Sequence, residues 1–231
     1  MSQRLLASPD LYGGEPAAAG KSIHFVTAHD GFTLNDLVSY NDKHNLANGE
    51  NNRDGDSHNN SWNHGVEGPS TDAAINTLRQ RQMRNMLCTL LLSAGTPMLL
   101  MGDEVHRSQG GNNNCWCQDN PLGWMHWQPD DEGLALKLFV QRLLRLRQQL
   151  LPWLNPDRPT ELEHHWHGVE IDKTDWASWS HCLAWSIHSP QLGPRLWCGM
   201  NAYYKAMHFE LPPTKSGWQR VIAVSYTHLR A

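Results

Sequence analysis

Phe25-Val26-Thr27-Ala28-His29-Asp30-Gly31-Phe32-Thr33 is the stretch that decides how this 231-residue chain is read. The approach from Ser22 to Ala28 is apolar and partly β-branched. It lies between a Gly/Ala/Pro-rich opening and the Gly31 breaker, which predicts a buried strand. The strand delivers an imidazole and a carboxylate, His29 and Asp30, at its end. Charged groups at strand ends are how a (β/α)8 barrel furnishes the mouth where its active site sits. On these nine residues alone a His-Asp turn that caps the next helix is the simpler reading, because Asp and Gly are ordinary turn residues. The sequence downstream shifts the balance.

A helix is expected from Thr71 to Ala94, with Ser70 or Thr71 as N-cap and Gly95 as the stop. Its apolar Ile75, Leu78, Met86, Leu87, Leu90 and Leu91 fall at helical spacing, and Arg79, Arg81 and Arg84 should form a solvated face. Pro97 to Met101 is continuously apolar, as buried parallel strands are, and it ends on Gly102-Asp103-Glu104. A second amphipathic helix runs from Glu132 to Leu150 and is ended by Pro152. Short β-type runs, His181 to His188 and Arg195 to Met200, then replace helical periodicity. The order is two β/α units followed by a small all-β domain.

With 39% apolar residues the chain can build a core, and its net charge of −4 comes from scattered charges without a basic stripe. Neither nucleic acid nor a membrane is an expected partner, and a polar, uncharged ligand suits this surface better. No apolar run approaches the ~18–20 residues of a membrane span, and Met1 to Asp10 lacks a signal-peptide core. Five cysteines without framework spacing fit a reducing compartment. Cys115-Trp116-Cys117 is too closely spaced for a zinc hairpin, and His164-His165-Trp166-His167 reads as strand residues. The long asparagine-rich loop lacks the ligand spacing of a calcium loop. No metal and no cofactor are expected.

The opening run resembles, together with three later blocks in the same order, the C-terminal part of bacterial glycogen debranching enzymes. Those blocks are His44-Asn45-Leu46-Ala47-Asn48-Gly49-Glu50-Asn51-Asn52-Arg53-Asp54-Gly55, then Gly95 to Glu104, then Gly110-Gly111-Asn112-Asn113-Asn114 through Cys117-Gln118-Asp119-Asn120. The enzymes group with the isoamylases in the α-amylase superfamily of glycoside hydrolases, and the resemblance runs from about Leu11 to about Ile222. It implies an α/β plus β architecture: residues 1–151 as the last two β/α units of an incomplete TIM barrel, then residues 152–222 as a small C-terminal β-sandwich. About six β/α units would precede them. Residues 223–231 depart from the family's pattern and resemble a translated sequencing adapter, so they are expected to be non-native.

The implied function is hydrolysis of α-1,6 branch linkages of glycogen or a branched α-glucan, in the cytoplasm, by a retaining mechanism. Retention needs a nucleophile and an acid ~5 Å apart, and the family's two such carboxylates come from earlier strands. The resemblance therefore implies an inactive chain. Asp30 resembles the family's third carboxylate, which stabilises the transition state, and His29 the imidazole that hydrogen-bonds the same sugar. Asparagine donates and accepts, which suits vicinal hydroxyls. Lys43, His44 and Asn45 are expected to face the cleft, while Glu50, Arg53 and Asp54 pair with one another to hold the loop. Asn112, Asn113 and Asp119 are candidate subsite residues, and Glu104, which ends the second strand beside Asp103, reads as a structural or subsite group. Trp166, Trp176, Trp179 and Trp185 read as core, although indole also stacks on sugar. The alternatives are another α-amylase-superfamily glycosidase, or a non-catalytic carbohydrate-binding or interaction protein.

Overall fold

A computed structural model describes residues 2–11, 21–154, 163–191 and 193–224, apart from the side chain of Trp153. They fall into two compact units, one up to Leu154 and one from Glu163. The tail expected to be non-native lies, from Ser225 on, outside the described residues.

In the first unit a short helix α1 (Ser2–Leu5) precedes strand β1 (Ile23–His24) and helix α2 (Leu34–Leu37). A long polar loop leads to helix α3 (Ala73–Leu92), strand β2 (Thr96–Pro97), a second loop and helix α4 (Asp131–Leu154). The β/α alternation is that expected from the sequence. β1 and β2 pair in parallel, with Ile23 opposite Thr96 and His24 opposite Pro97. Thr96 donates to the Ser22 carbonyl at 2.8 Å and Met98 to that of His24 at 2.7 Å. The paired segments are shorter than the predicted Ser22–Ala28 and Pro97–Met101, and Ile23 is 60% exposed. An apolar run becomes a buried strand only where neighbours cover it, and these two strands are each other's only ladder partner among the described residues. The sheet does not close into a barrel there.

α3 begins two residues later than predicted, because Asp72 rather than Ser70 or Thr71 caps it, accepting from the N–H groups of Ala74 and Ile75. Met83, Leu87, Leu90 and Leu91 of α3 form a buried stripe, as do Leu136, Val140, Leu143 and Leu150 of α4. The expectation of a solvated arginine face is corrected for two of its three members. Arg79 is 5% exposed, with its guanidinium donating to the carbonyls of Asn63, Val66 and Gly68. The buried Arg84 lies over the Phe139 ring, 5.9 Å from its centroid. From α4, Arg147 donates to the carbonyls of Leu91, Ser93 and Gly95 at 2.6–2.7 Å, so an arginine satisfies carbonyls that the end of α3 leaves open. α4 also runs past Pro152, which sits in its last turn, where a missing N–H costs one bond without breaking the run.

The second unit is an antiparallel sheet in the order β3 (Glu163–His167), β4 (Cys182–Ser189), β5 (Gly193–Asn201). These are the predicted β runs. Three strands form one sheet, and no second sheet packs as a sandwich among the described residues. Central β4 is buried from Ala184 to Ile187. Of the tryptophans expected in a core, Trp185 is buried, whereas Trp176 and Trp179 are exposed, Trp179 to 75%. Both stand on the loop before β4, which has no ladder to cover them.

A polar chain crosses β3 and β4. The Asp172 N–H donates to Nδ1 of the buried His167 at 3.0 Å, so the neutral ring carries its proton on Nε2 and donates it to Ser186 Oγ, 2.7 Å away. The Ser186 hydroxyl is then free to donate to His188 Nε2 at 2.8 Å.

Candidate functional site

The two loops that follow the parallel strands are joined almost entirely by amides. Asn45 donates from Nδ2 to Asn113 Oδ1 at 2.8 Å and accepts from the Asn113 N–H at 3.0 Å. It also donates to the Asp54 carbonyl, and Asn113 donates to the Asp56 carbonyl and to Asn59 Oδ1. Next to this pair, Asn112 Nδ2 donates to Asn48 Oδ1 at 2.8 Å, and Asn48 donates to Asp54 Oδ2 and the Asn114 carbonyl. The hydrogen bond from Asn48, joined by one from Asn114, draws the Asp54 carboxyl below its usual range. The loop closes so tightly that a Cβ on Gly55, at φ +70°, would lie 2.3 Å from Asn113 Oδ1.

Asn45, Asn112 and Asn113 are therefore enclosed, at 2% exposure or less, with their amides turned on the loops themselves. Lys43 behaves alike, donating through Nζ to the carbonyls of Asp54 at 2.7 Å and Gly55 at 3.1 Å and to Ser57 Oγ. These four were expected to meet a ligand. In the structure the polar atoms named above hydrogen-bond to the loops themselves. The expected pairing among Glu50, Arg53 and Asp54 is corrected, since Arg53 Nε donates to the Glu50 backbone carbonyl and the Asp54 carboxylate takes asparagine donors.

His29 and Asp30 stand apart from that interior. Their rings and carboxylates are more than four-fifths exposed, with His29 Nε2 3.3 Å from Asp30 Oδ2. The turn that carries them is tied to the second loop, because Gly31 donates to the Asn113 carbonyl at 2.9 Å. The carboxylate–imidazole pair thus projects from a frame made by both loops. His44, half exposed, is tied through its N–H to the Gly111 carbonyl and through Nε2 to Glu67 Oε1 at 3.1 Å. Asp119 is exposed and accepts from Trp124 Nε1 at 2.9 Å.

Three acids that sequence reasoning did not single out for these roles support the frame. Asp36 is buried and accepts from Ser108 Oγ and the N–H groups of Gln109 and Gly111, which pins α2 to the second loop. Burial raises its carboxyl above the usual range, against those hydrogen bonds. Its one sequence signal is the Thr33-x-x-Asp36 spacing, and Thr33 Oγ1 does cap the Asp36 N–H. Asp103 accepts from Thr27 Oγ1 and the Leu34 N–H, joining the ends of both strands, and burial pushes it up to about 6 against the pull of these donors. Glu67 collects the N–H groups of Asn41 and Asp42, the Asn63 amide and His44. Burial works to raise its carboxyl, but these donors prevail and hold it down at about 2. No group of three His, Cys, Asp or Glu among the described residues is arranged to hold a metal.

No protein-family model matches the chain. Individual proteins do. The chain is 58% identical over 147 residues to the glycogen operon protein GlgX homolog of Mycobacterium tuberculosis, covering 64% of this chain and 20% of that protein. It is 40% identical over 224 residues to the glycogen debranching enzyme of Erwinia tasmaniensis, covering 95% of this chain and 33% of the relative. It is 39% identical over 221 residues to the chloroplastic isoamylase SU1 of Zea mays, covering 94% and 28%. The chain spans between a fifth and a third of the length of these curated relatives.

Proposed function

We propose that this chain, a homologue of the glycogen debranching enzymes and isoamylases, is the C-terminal portion of an enzyme that hydrolyses α-1,6-glucosidic branch linkages. Its substrate is glycogen or a related branched α-glucan, and its mechanism is retaining. The observation that carries this reading is the similarity over nine-tenths of the chain to a glycogen debranching enzyme and an isoamylase. The exposed His29–Asp30 pair agrees with it, at the loop end of two parallel strands. In this reading residues 1–151 complete a (β/α)8 barrel, residues 152–222 form the C-terminal all-β domain, and the working compartment is the cytoplasm.

Asp30 stabilises the positive charge that develops at the sugar ring, and His29 donates to a hydroxyl of the same sugar. His44 and Asp119, both with exposed surface, border the path of the glucan. Nucleophile and general acid belong to earlier strands of the whole barrel, so the chain alone releases no reducing ends.

The test joins the chain in frame to the preceding part of a debranching relative. Asp30→Asn in that enzyme should keep the fold and much of the glucan affinity while turnover falls by on the order of 10²–10³. Turnover within a few fold of the parent, at unchanged melting temperature, would make Asp30 a turn residue and end the reading. A second reading, glucan binding without catalysis, is favoured by the exposed indoles of Trp176 and Trp179. Pull-down on insoluble glucan with and without the barrel separates the two.

A further inference from the structure

Asn48-Gly49 is the one place in the sequence where a glycine follows an asparagine. Glycine puts no side chain beside its own nitrogen, and around Gly49 even an added Cβ would meet nothing within 4 Å, so the nitrogen is open to attack on a neighbouring carbon. The pair ends the short 3-10 helix Leu46–Asn48 in the first loop, where Leu46 is 72% exposed and Gly49 is exposed too.

Asn48 is also a clamp between the two loops. Its Nδ2 donates to Asp54 Oδ2 at 2.7 Å and to the Asn114 carbonyl at 2.9 Å, while its Oδ1 accepts from Asn112 Nδ2 and Gln118 Nε2, both at 2.8 Å. Both ends of the amide are in use, and only an amide offers donors at one end and an acceptor at the other. While the loops stay joined, these bonds hold the side chain, and the Gly49 N–H is turned on the Leu46 carbonyl at 3.2 Å. Exposed loops open locally at far lower cost than the whole fold, and each opening releases the amide and the Gly49 nitrogen together.

We propose that Asn48 is a site of spontaneous deamidation, and that its conversion permanently loosens the joint between the two loops. In the opened loop the Gly49 nitrogen attacks Asn48 Cγ and gives its proton to water. The bond from Cγ to the side-chain nitrogen breaks, and that nitrogen leaves as ammonia with a proton taken from water. A second water then opens the succinimide at either of its carbonyls, leaving aspartate or isoaspartate. Nothing is oxidised or reduced: water enters and ammonia departs. The product cannot resume the old place. An oxygen would stand where Nδ2 met Asp54 Oδ2 and the Asn114 carbonyl, so two donated bonds become two oxygen–oxygen contacts, one of them between like charges. Isoaspartate in addition reroutes the main chain through the side-chain carbon. The site is independent of the branch-cleaving reading and would stand if that reading failed.

Incubation of the full chain in mildly alkaline buffer, followed by digestion, mass mapping and isoaspartate labelling, tests it. Asn48 should convert ahead of every other asparagine. Asn112→Ala and Gln118→Ala each remove a hydrogen bond to Asn48 Oδ1, so each should speed conversion roughly fivefold, the shift that one lost hydrogen bond makes in an opening equilibrium. Gln118 is less buried than Asn112 and keeps the rate comparison available if Asn112→Ala does not fold. Asn48→Asp should melt below the parent at neutral pH and recover part of the loss on acidification through the ordinary carboxylate range. The proposal is overturned if Asn48 stays an amide while other asparagines convert, if Gln118→Ala leaves its rate unchanged, or if Asn48→Asp melts with the parent at neutral pH.

Discussion

Asn45 and Asn113, 68 positions apart, exchange hydrogen bonds in both directions: side-chain amide to side-chain carbonyl, and backbone N–H to side-chain carbonyl. Neither truncation can leave its partner satisfied. Asn45→Ala and Asn113→Ala should each destabilise by ~1–3 kcal/mol, the cost of orphaned buried polar groups. Denaturant unfolding of both single variants and the double should give a coupling of ~0.5–3 kcal/mol. Additive losses would mean that the pair is two independent loop residues.

Glu67 leads to a prediction at acid pH. Its folded-state carboxyl titrates at about 2, against 4.5 for an ordinary glutamate. The stability it contributes is therefore complete above 4.5 and is lost as pH falls toward 2. Because its side chain is about one-third exposed, the contribution is discounted to ~1 kcal/mol. Glu67→Gln turns an amide donor toward donors, so it should lower stability at neutral pH and flatten this acid limb. An unchanged limb in thermal melts between those pH values would remove Glu67 as its cause.

Asp103 works with the opposite sign. Its carboxyl is raised from 3.8 to about 6, so the unfolded chain gives up this proton first, and stability falls as pH rises through that window. Two units correspond to on the order of 2–3 kcal/mol. Asp103→Asn can still accept from the Leu34 N–H and donate to Thr27 Oγ1. It should hold neutral-pH stability at or above the parent and abolish the slope between pH 4 and 6. Asp103→Ala should lose ~1–3 kcal/mol by stranding both donors. Retention of the slope in Asp103→Asn would assign it to another group.

In the sheet unit, burial lowers His164, His167 and His188 below 6.5. The unfolded chain binds these protons first, so stability drops as pH falls below 6.5. Ser186→Ala removes the acceptor of the His167 proton and should cost ~1–3 kcal/mol at neutral pH. Near-ultraviolet circular dichroism of the sheet's tryptophans, Trp166 in β3, Trp185 in β4 and Trp197 in β5, follows the transition. A melt independent of pH from 7 to 5 would contradict it.

The alternation of β1, α3, β2 and α4 and the runs of the small sheet were legible, because periodicity survives any tertiary context. What escaped was decided by partners far away in sequence. Arg79 looks like a surface residue until the carbonyls of 63–68 wrap it, and Arg147 until the end of α3 meets it. Asparagines suited to sugar hydroxyls suit one another equally well, and composition cannot say which they choose. Asp36 had a local capping signal, whereas Glu67 had none. His29 and Asp30 were legible as a strand-end pair because neighbours in sequence make it.

The two loops meet largely through neutral amides and backbone carbonyls. The carboxylates that brace them, Asp36, Asp54, Asp103 and Glu67, take their hydrogen bonds from N–H, amide, hydroxyl and imidazole donors and form no ion pair with a lysine or arginine among the described residues. Dissolved ions screen exposed charge pairs over about 8–10 Å, but they have little hold on enclosed dipoles in direct contact. The surface that carries Asp30 should therefore keep one shape from dilute buffer to concentrated salt, and any ionic-strength dependence of glucan engagement would have to arise in the encounter with the polymer, not in the framework that receives it.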